Sequence, residues 1–344
     1  MSVLFNRQFR WQRADNATVW SYGRAFTDFT SGIFCANVGH NNPVVNDAVA
    51  AAIAKYGPHT YTYDTGLRNT YERELLAWTG YDAMQLFTTG SEAVEAALRI
   101  ARWDVGPDAT VYKLADTFHG KTYGPMETLT TYNVLPGKMR TGIIEGYRGW
   151  DARFWSQETV DLIKSAEIVI FDEIQSGFGR TGTRFAYQHY DGLAPDLLVI
   201  GKGMCNGYPG SAVLARGEMA EIMSVNQEEW SNTHGGNPIT CAAGLAVLGV
   251  IDRGKIPDQE SCALLQYRLR EIWDDVSGRG MVAALLTKSV EDADQIVLAA
   301  RDKGLLLVHT GKASVKIGPP LTISYEQLAT GLVILEEVLC VMLG

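Results

Sequence analysis

The chain has 344 residues, 46% of them hydrophobic and 20% charged, which suits one large domain or two coupled ones. A formal net charge of -9, with no run of Lys and Arg, argues against a nucleic-acid or anionic-membrane surface. Cys35, Cys205, Cys241, Cys262 and Cys340 are an odd set without CxxC spacing, so neither a disulfide framework nor a metal site is expected, and a reducing compartment is. Met1 to Arg13 mixes arginines with aromatics and lacks a signal-peptide core, and no apolar run approaches the roughly 20 residues that span a bilayer. The expected location is the cytoplasm.

Tyr22 to Phe29 alternates like a short hairpin, and Ser31-Gly32-Ile33 and Val38-Gly39-His40 read as loops. Helices are predicted over Asn46 to Tyr56, closed by Gly57-Pro58, and over Arg68 to Trp78, with Gly80 near the end. Gln85 to Phe87 is a strand. Thr88-Thr89-Gly90-Ser91-Glu92-Ala93 then opens a helix to about Trp103, with Ser91 as the expected N-cap. An ordinary capped helix reads the same way. Yet Gly90 admits close backbone approach, and free N–H groups at such a start can hold a phosphate. Thr110 to Leu114 is a strand that leaves into the loop Asp116 to Thr122. His119 there reads as a packed or solvated histidine, although an aromatic followed by His and Gly, as in Phe118-His119-Gly120, could also lie flat over a ligand ring. Thr141 to Glu145 is a strand and Ser156 to Lys164 a helix.

Two apolar runs follow. Ile168 to Phe171 ends in Asp172-Glu173-Ile174-Gln175 and a Gly-rich turn to Gly182, and Leu197 to Ile200 ends in Gly201-Lys202-Gly203. Each buried strand thus delivers one charged residue at the C-terminal edge, where ligands sit in parallel α/β sheets. An Asp and a Lys placed there suit a cofactor with a basic ring nitrogen and a reactive aldehyde, and pyridoxal phosphate has both. Ser211 to Ala215 is a strand, Trp230 to Pro238 a polar loop, and Ile239 to Ile251 and Asp258 to Val276 are helices. The tail reads as strand Met281 to Leu286, helix Val290 to Lys303, strands Leu305 to His309 and Ser314 to Ile317, and helix Tyr325 to Met342. The pattern predicts an α/β fold, with a large domain built on a mostly parallel sheet flanked by helices and a smaller α+β domain. The expected division is an N-terminal segment 1–45 packing with the small domain, a large cofactor-binding domain 46–252 and a small domain 253–344.

Several motifs agree in order. The run Asp172 to Gly182, Gly201-Lys202-Gly203 with Tyr208-Pro209-Gly210-Ser211, Thr89 to Ala93, Phe118-His119-Gly120, Thr233-His234-Gly235-Gly236-Asn237-Pro238, Gly39 to Pro43 and Gly318-Pro319-Pro320-Leu321 together resemble the class III pyridoxal-phosphate-dependent aminotransferases of fold type I, the ornithine, acetylornithine and ω-amino-acid group. The resemblance covers nearly the whole chain. It implies a transaminase that moves an amino group from an amine or amino acid to a 2-oxo acid in ping-pong fashion, with Lys202 holding the cofactor as a Schiff base and then moving the proton. It implies that Asp172 pairs with the ring nitrogen, that Ile174 and Phe118 pack on the two ring faces with His119 beside them, and that Gln175 reaches the phenolic oxygen. Gly90 and Ser91 would bind the phosphate. Thr233 would reach the phosphate of the other subunit, which makes a homodimer with shared active sites part of the expectation. Glu173 and Arg180 are expected to form a structural ion pair.

The sequence departs from the family at both halves of one gate. Where many members read Glu-Pro-x-Gln-Gly-Glu, this chain reads Glu145-Gly146-Tyr147-Arg148-Gly149-Trp150. The acid of the ω-amino-acid gate is therefore Trp150, and its arginine partner is Lys316, a point charge instead of a bidentate fork. Lys316 and Arg148 are the candidate carboxylate anchors, and Trp150, Phe34 and Trp11 candidate walls of an aromatic amine pocket. A mutase or decarboxylase of the same fold, and a cofactor-binding protein without turnover, are the alternatives.

Overall fold

The computed structural model describes residues 9–57, 62–126, 129–130, 139–254 and 257–343. The chain opens with an antiparallel meander, β1 (Arg13–Asp15), β2 (Thr18–Ser21) and β3 (Arg24–Asp28). Tyr22 and Gly23 both take positive φ between β2 and β3, the conformation of a tight hairpin turn. Helices Pro43–Tyr56 and Gly66–Thr79 follow; Gly80, at φ +74, ends the second as a left-handed cap. Gly57 caps the first, and Pro58, expected to help close it, lies outside the described residues.

The central sheet comprises β4 (Ala83–Phe87), β5 (Val111–Lys113), β6 (Leu129–Thr130), β7 (Thr141–Glu145), β8 (Ile168–Asp172), β9 (Leu197–Ile200) and β10 (Ser211–Ala215), in the order β4-β10-β9-β8-β7-β5-β6. All its pairings are parallel except those of β10, which is antiparallel to both neighbours. Every residue of β7 through β10 is buried. Leu198 and Ile200 face Val45, Leu75 and Val247 on one side, while Leu197 and Val199 face Val94, Leu98 and Met219 on the other. Burial on both faces leaves the strand ends as the places where a charge can sit.

The C-terminal sheet contains β11 (Val276–Arg279), β12 (Val282–Leu286), β14 (Val308–His309) and β15 (Ser314–Ile317), ordered β11-β12-β15-β14, while β13 (Leu305–Leu306) pairs in parallel with β3 of the N-terminal meander. Helices Gln259–Ile272, Val290–Lys303 and Tyr325–Leu343 cover this part through Leu265, Ile296 and Leu332. Among the described residues no helix is long and apolar enough to cross a membrane.

Two predicted elements are corrected. The helix expected over Asp258 to Val276 ends at Ile272, because Trp273 turns extended and its indole N–H donates to Leu286 O (2.8 Å), which starts β11 at Val276. The single strand expected over Leu305 to His309 is two, because its halves pair with different sheets. Helix Gly217–Val225 and strands β1 and β2 were not anticipated; the hairpin expected over Tyr22 to Phe29 has its first strand at Thr18–Ser21, and Tyr22 is in its turn.

The expected Glu173–Arg180 ion pair is absent. Glu173 is taken by the Ser176 hydroxyl and the Tyr187 N–H, and burial pushes its carboxyl up to about 7. Fully buried Arg180 donates instead to Met281 O (2.9 Å), Pro319 O (2.6 Å), Ser31 Oγ (3.2 Å) and Asn37 Oδ1 (2.6 Å). Burial lowers its pKa to about 10, so the guanidinium stays charged at neutral pH and its lost hydration is replaced by neutral acceptors. This one side chain ties the Gly-rich turn to the N-terminal segment and to the C-terminal sheet. Arg180→Met should cost roughly 3 kcal/mol, because it strands buried carbonyls without donors. A thermal midpoint equal to that of the parent protein would refute the assignment.

Candidate active site

Asp172 is the last residue of β8 and pairs in register with Val199 of β9, so the chain leaving β9 reaches Lys202 beside it. Lys202 itself stands at φ +39, in the left-handed region that costs a non-glycine residue energy. The turn is held from outside. The Val38 N–H donates to Asn206 Oδ1 (3.0 Å), Asn206 Nδ2 donates to Gly39 O (2.8 Å), and a Cβ on Gly203 would meet the Asn37 amide. Among the described residues Lys202 Nζ has no hydrogen-bond partner.

Asp172 is buried. Its Oδ2 lies 2.9 Å from His119 Nδ1, and its Oδ1 accepts the Ile174 N–H (3.0 Å). The helix Gly90–Val105 is capped by Thr89, not Ser91: the Thr89 hydroxyl accepts the Glu92 N–H and the Glu92 carboxylate accepts the Thr89 N–H. Thr89 wins because it is the last extended residue, which leaves Ser91 inside the helix. The N–H groups of Gly90 and Ser91 therefore open the helix with no carbonyl one turn earlier to take them. A Cβ on Gly90 would lie 2.8 Å from Ile174 Cδ1, and one on Gly120 would lie 2.9 Å from Ser91 Oγ. The backbone is glycine where these walls crowd the cavity.

These groups line one cavity of about 710 Å³. Lys202, Asp172, Gly90, Ser91, Phe118, His119, Ile174, Gln175, Lys316, Trp150 and Phe34 all reach it. Thr233, Arg148 and Trp11 do not. Thr233 is exposed in a turn. Arg148 is locked on Asp151, with Nε 3.0 Å from Oδ1 and its guanidinium over the Trp150 ring, so it is not free to anchor a substrate. Trp11 packs edge-on against His40 at a separate groove, because the N-terminal segment carries it past the cavity.

A profile described as Aminotransferase class-III matches residues 5–143 and 154–339. The chain belongs to the class III aminotransferases. Its relatives include the acetylornithine aminotransferase of Streptococcus mutans, 28% identical over 92% of this chain and 92% of that protein. Among solved structures, the ornithine aminotransferase of Toxoplasma gondii superposes with a TM-score of 0.90 at 23% identity, covering 99% of this chain and 93% of that one. The acetylornithine aminotransferase of Elizabethkingia anophelis gives 0.85 at 26% identity, covering 98% and 96%. The fold is fold type I, and the aminotransferase depends on pyridoxal phosphate. The residues between the two matched blocks, 144–153, contain the Glu145 to Trp150 departure.

The cavity fits that cofactor. Helix-start N–H groups suit its phosphate, a carboxylate backed by a histidine suits its ring nitrogen, and an unpartnered amine suits its aldehyde. Among the described residues His119 Nε2 is buried without a hydrogen-bond partner, which also marks this wall as built for a ligand.

Sequence reasoning missed one wall. Ser31, Gly32, Ile33 and Phe34 all have positive φ and form a left-handed turn, pinned where Ser31 Oγ donates to Gly318 O (2.6 Å). The turn brings Ile33 as well as Phe34 to the cavity. Gly32 was the one signal for it. Lys312, exposed at the cavity wall, was missed because nothing in its local sequence separates it from a solvated lysine.

Gly90→Ala should displace Ile174 and weaken cofactor binding roughly tenfold. Titration of the apoprotein with pyridoxal phosphate measures this, and unchanged affinity would show that the Gly90 wall is not in contact with the ligand.

Proposed function

We propose a broad-specificity transaminase that takes an amine or amino-acid donor and a 2-oxo-acid acceptor. One observation carries the reading: Lys202 and Asp172 stand together in the cavity, while the segment 144–153 that departs from the family lies at the same cavity through Glu145, Gly149 and Trp150. Bound pyridoxal phosphate supplies the electron sink that lets a C–H bond beside the amino group break. Lys202 would hold the cofactor through its aldehyde carbon, and its freed amine would then carry the proton from the substrate's α-carbon to the cofactor's C4′ carbon. Asp172 would keep the proton on the ring nitrogen, and His119 Nδ1, 2.9 Å from its Oδ2, orients the carboxylate for that. Gly90 and Ser91 would bind the phosphate, Ile174 and Phe118 would bound the ring faces, and Gln175 would meet the phenolic oxygen.

The substrate side is apolar at Ile33, Phe34, Trp150 and Val308, which favours donors with hydrocarbon or aromatic bodies. With Arg148 engaged by Asp151, no arginine lines this cavity among the described residues. That makes ornithine, acetylornithine and 4-aminobutyrate poor candidates. Exposed Lys312 is the cation open to an acceptor's carboxylate. Thr233 is too far round its own chain to line this cavity, and we assign it to the phosphate of a second copy in a cytoplasmic homodimer.

Holoenzyme screened with amines and amino acids against pyruvate and 2-oxoglutarate should convert at least one pair, with loss of the yellow colour when donor is given alone. Lys202→Ala should lower turnover roughly 10³-fold. Borohydride treatment should fix the cofactor on Lys202; a label on another side chain, or no donor at all converting the chromophore, would sink the proposal.

A further inference from the structure

Lys316 is 1% exposed, although it carries the amine at the wall where the family resemblance places a carboxylate-binding cation. It rises from β15, opposite Ala284 of β12 and Val308 of β14, and passes into the large domain. Its Nζ donates to Gly149 O (2.6 Å) and to Gln175 Oε1. The rings of Phe34 and Tyr147 close two further sides, with centroids 4.5 and 5.1 Å from Nζ. The lysine is thus committed to acceptors from the loop after β7 and the loop after β8.

We propose that Lys316 is a positioning residue that sets the amide of Gln175, and not the carboxylate anchor. Lys316 Nζ donates to the Gln175 carbonyl, as its N–H groups can in either protonation state, so that carbonyl faces β15. The Gln175 NH₂ is then turned away from Lys316, and its two N–H donors are left for an acceptor in the cavity that Gln175 lines. An amide free to flip would offer its oxygen there half of the time and repel an anionic oxygen. Fixing the flip makes the site a dedicated donor toward the phenolic oxygen of pyridoxal phosphate, and so this inference rests on the cofactor reading above. The charged surroundings are consistent with a lysine held for geometry. Burial, Lys202 and Arg180 lower its pKa to about 7, whereas Glu145 and Asp151 oppose that shift. Glu145 in turn accepts the Gly149 N–H (2.8 Å), so the Gly149 peptide links the two groups through its N–H and its carbonyl.

The test uses reconstituted holoenzyme and three readouts: cofactor affinity, the pH midpoint of the bound cofactor's visible absorbance, and KM for pyruvate and 2-oxoglutarate. Losing a hydrogen bond to the anionic phenolic oxygen should raise the absorbance midpoint by about one pH unit in both Lys316→Met and Gln175→Ala. The double variant should shift no further than either single one, because both remove the same donor. KM for both acids should stay within about twofold. Lys316→Gln, whose amide accepts as well as donates, no longer fixes the flip and should raise the midpoint in the same direction, and it is read in place of Lys316→Met if that variant does not fold. A KM rise of tenfold or more with an unmoved midpoint would make Lys316 the carboxylate anchor and overturn the inference. Additive shifts in the double variant would overturn it too. Parent protein that never turns yellow would fail the cofactor reading instead, which keeps the two failures apart.

Discussion

The parallel pairing of β8 with β9 is the constraint on which the site depends. Both strands are buried on both faces, so neither can carry a charge along its length without an uncompensated desolvation cost. Asp172 is tolerated because it ends its strand and receives the Ile174 N–H and the His119 ring. Lys202 is tolerated because it stands beyond its strand, in a turn. The shared register sends both to one edge of the sheet. A one-residue slip would turn the Asp172 side chain to the other face of the sheet and break the constellation.

What keeps the edge in shape comes from outside the sheet. The left-handed conformation of Lys202 is held by Asn206 and the segment Val38–Gly39. The same N-terminal segment supplies Ser31 and Asn37 to Arg180, and Arg180 also grips Met281 and Pro319. A buried guanidinium loses its hydration, which offsets part of what its hydrogen bonds contribute. It does fix the relative placement of three chain segments with directional bonds. The cavity walls drawn from Phe34 and Lys316 lie in or beside those segments, and the N-terminal one also holds the Lys202 turn through Asn206, so their spacing follows from this knot.

Much of this was legible in the sequence wherever one local rule governed one element. β7, β9, β10, β15 and helix Val290–Lys303 have the bounds that their apolar periods and flanking turns predict. Asp172 and Lys202 were legible because a charge that ends a buried apolar run must meet a partner or a ligand. The misses share a cause, which is competition settled by distant partners. Thr89 and Ser91 are both good caps, and the conformation of Thr89 decides between them. Leu305 to His309 reads as one strand until two sheets claim its halves. Arg180 was assigned to its near neighbour Glu173, whereas its acceptors lie up to 149 positions away in the chain. The left-handed turn Ser31–Phe34 runs against backbone preference, and no propensity scale would find it.

The pair of departures at Trp150 and Lys316 then reads as one physical change. An arginine buried at position 316 would stay charged and would need acceptors around it to replace its hydration. Trp150 supplies none, since an indole is a donor only. A lysine can give up its proton when buried, and here its pKa falls to about 7. Glu145, the remaining acid of the segment, is pushed up to about 8 by burial. Both groups therefore approach neutrality around the Gly149 peptide that joins them, and the wall carries no uncompensated charge. With the acid gone from position 150, a lysine is the cation this wall can keep without a counter-ion, and the aromatic faces of Phe34 and Tyr147 accommodate it in either protonation state.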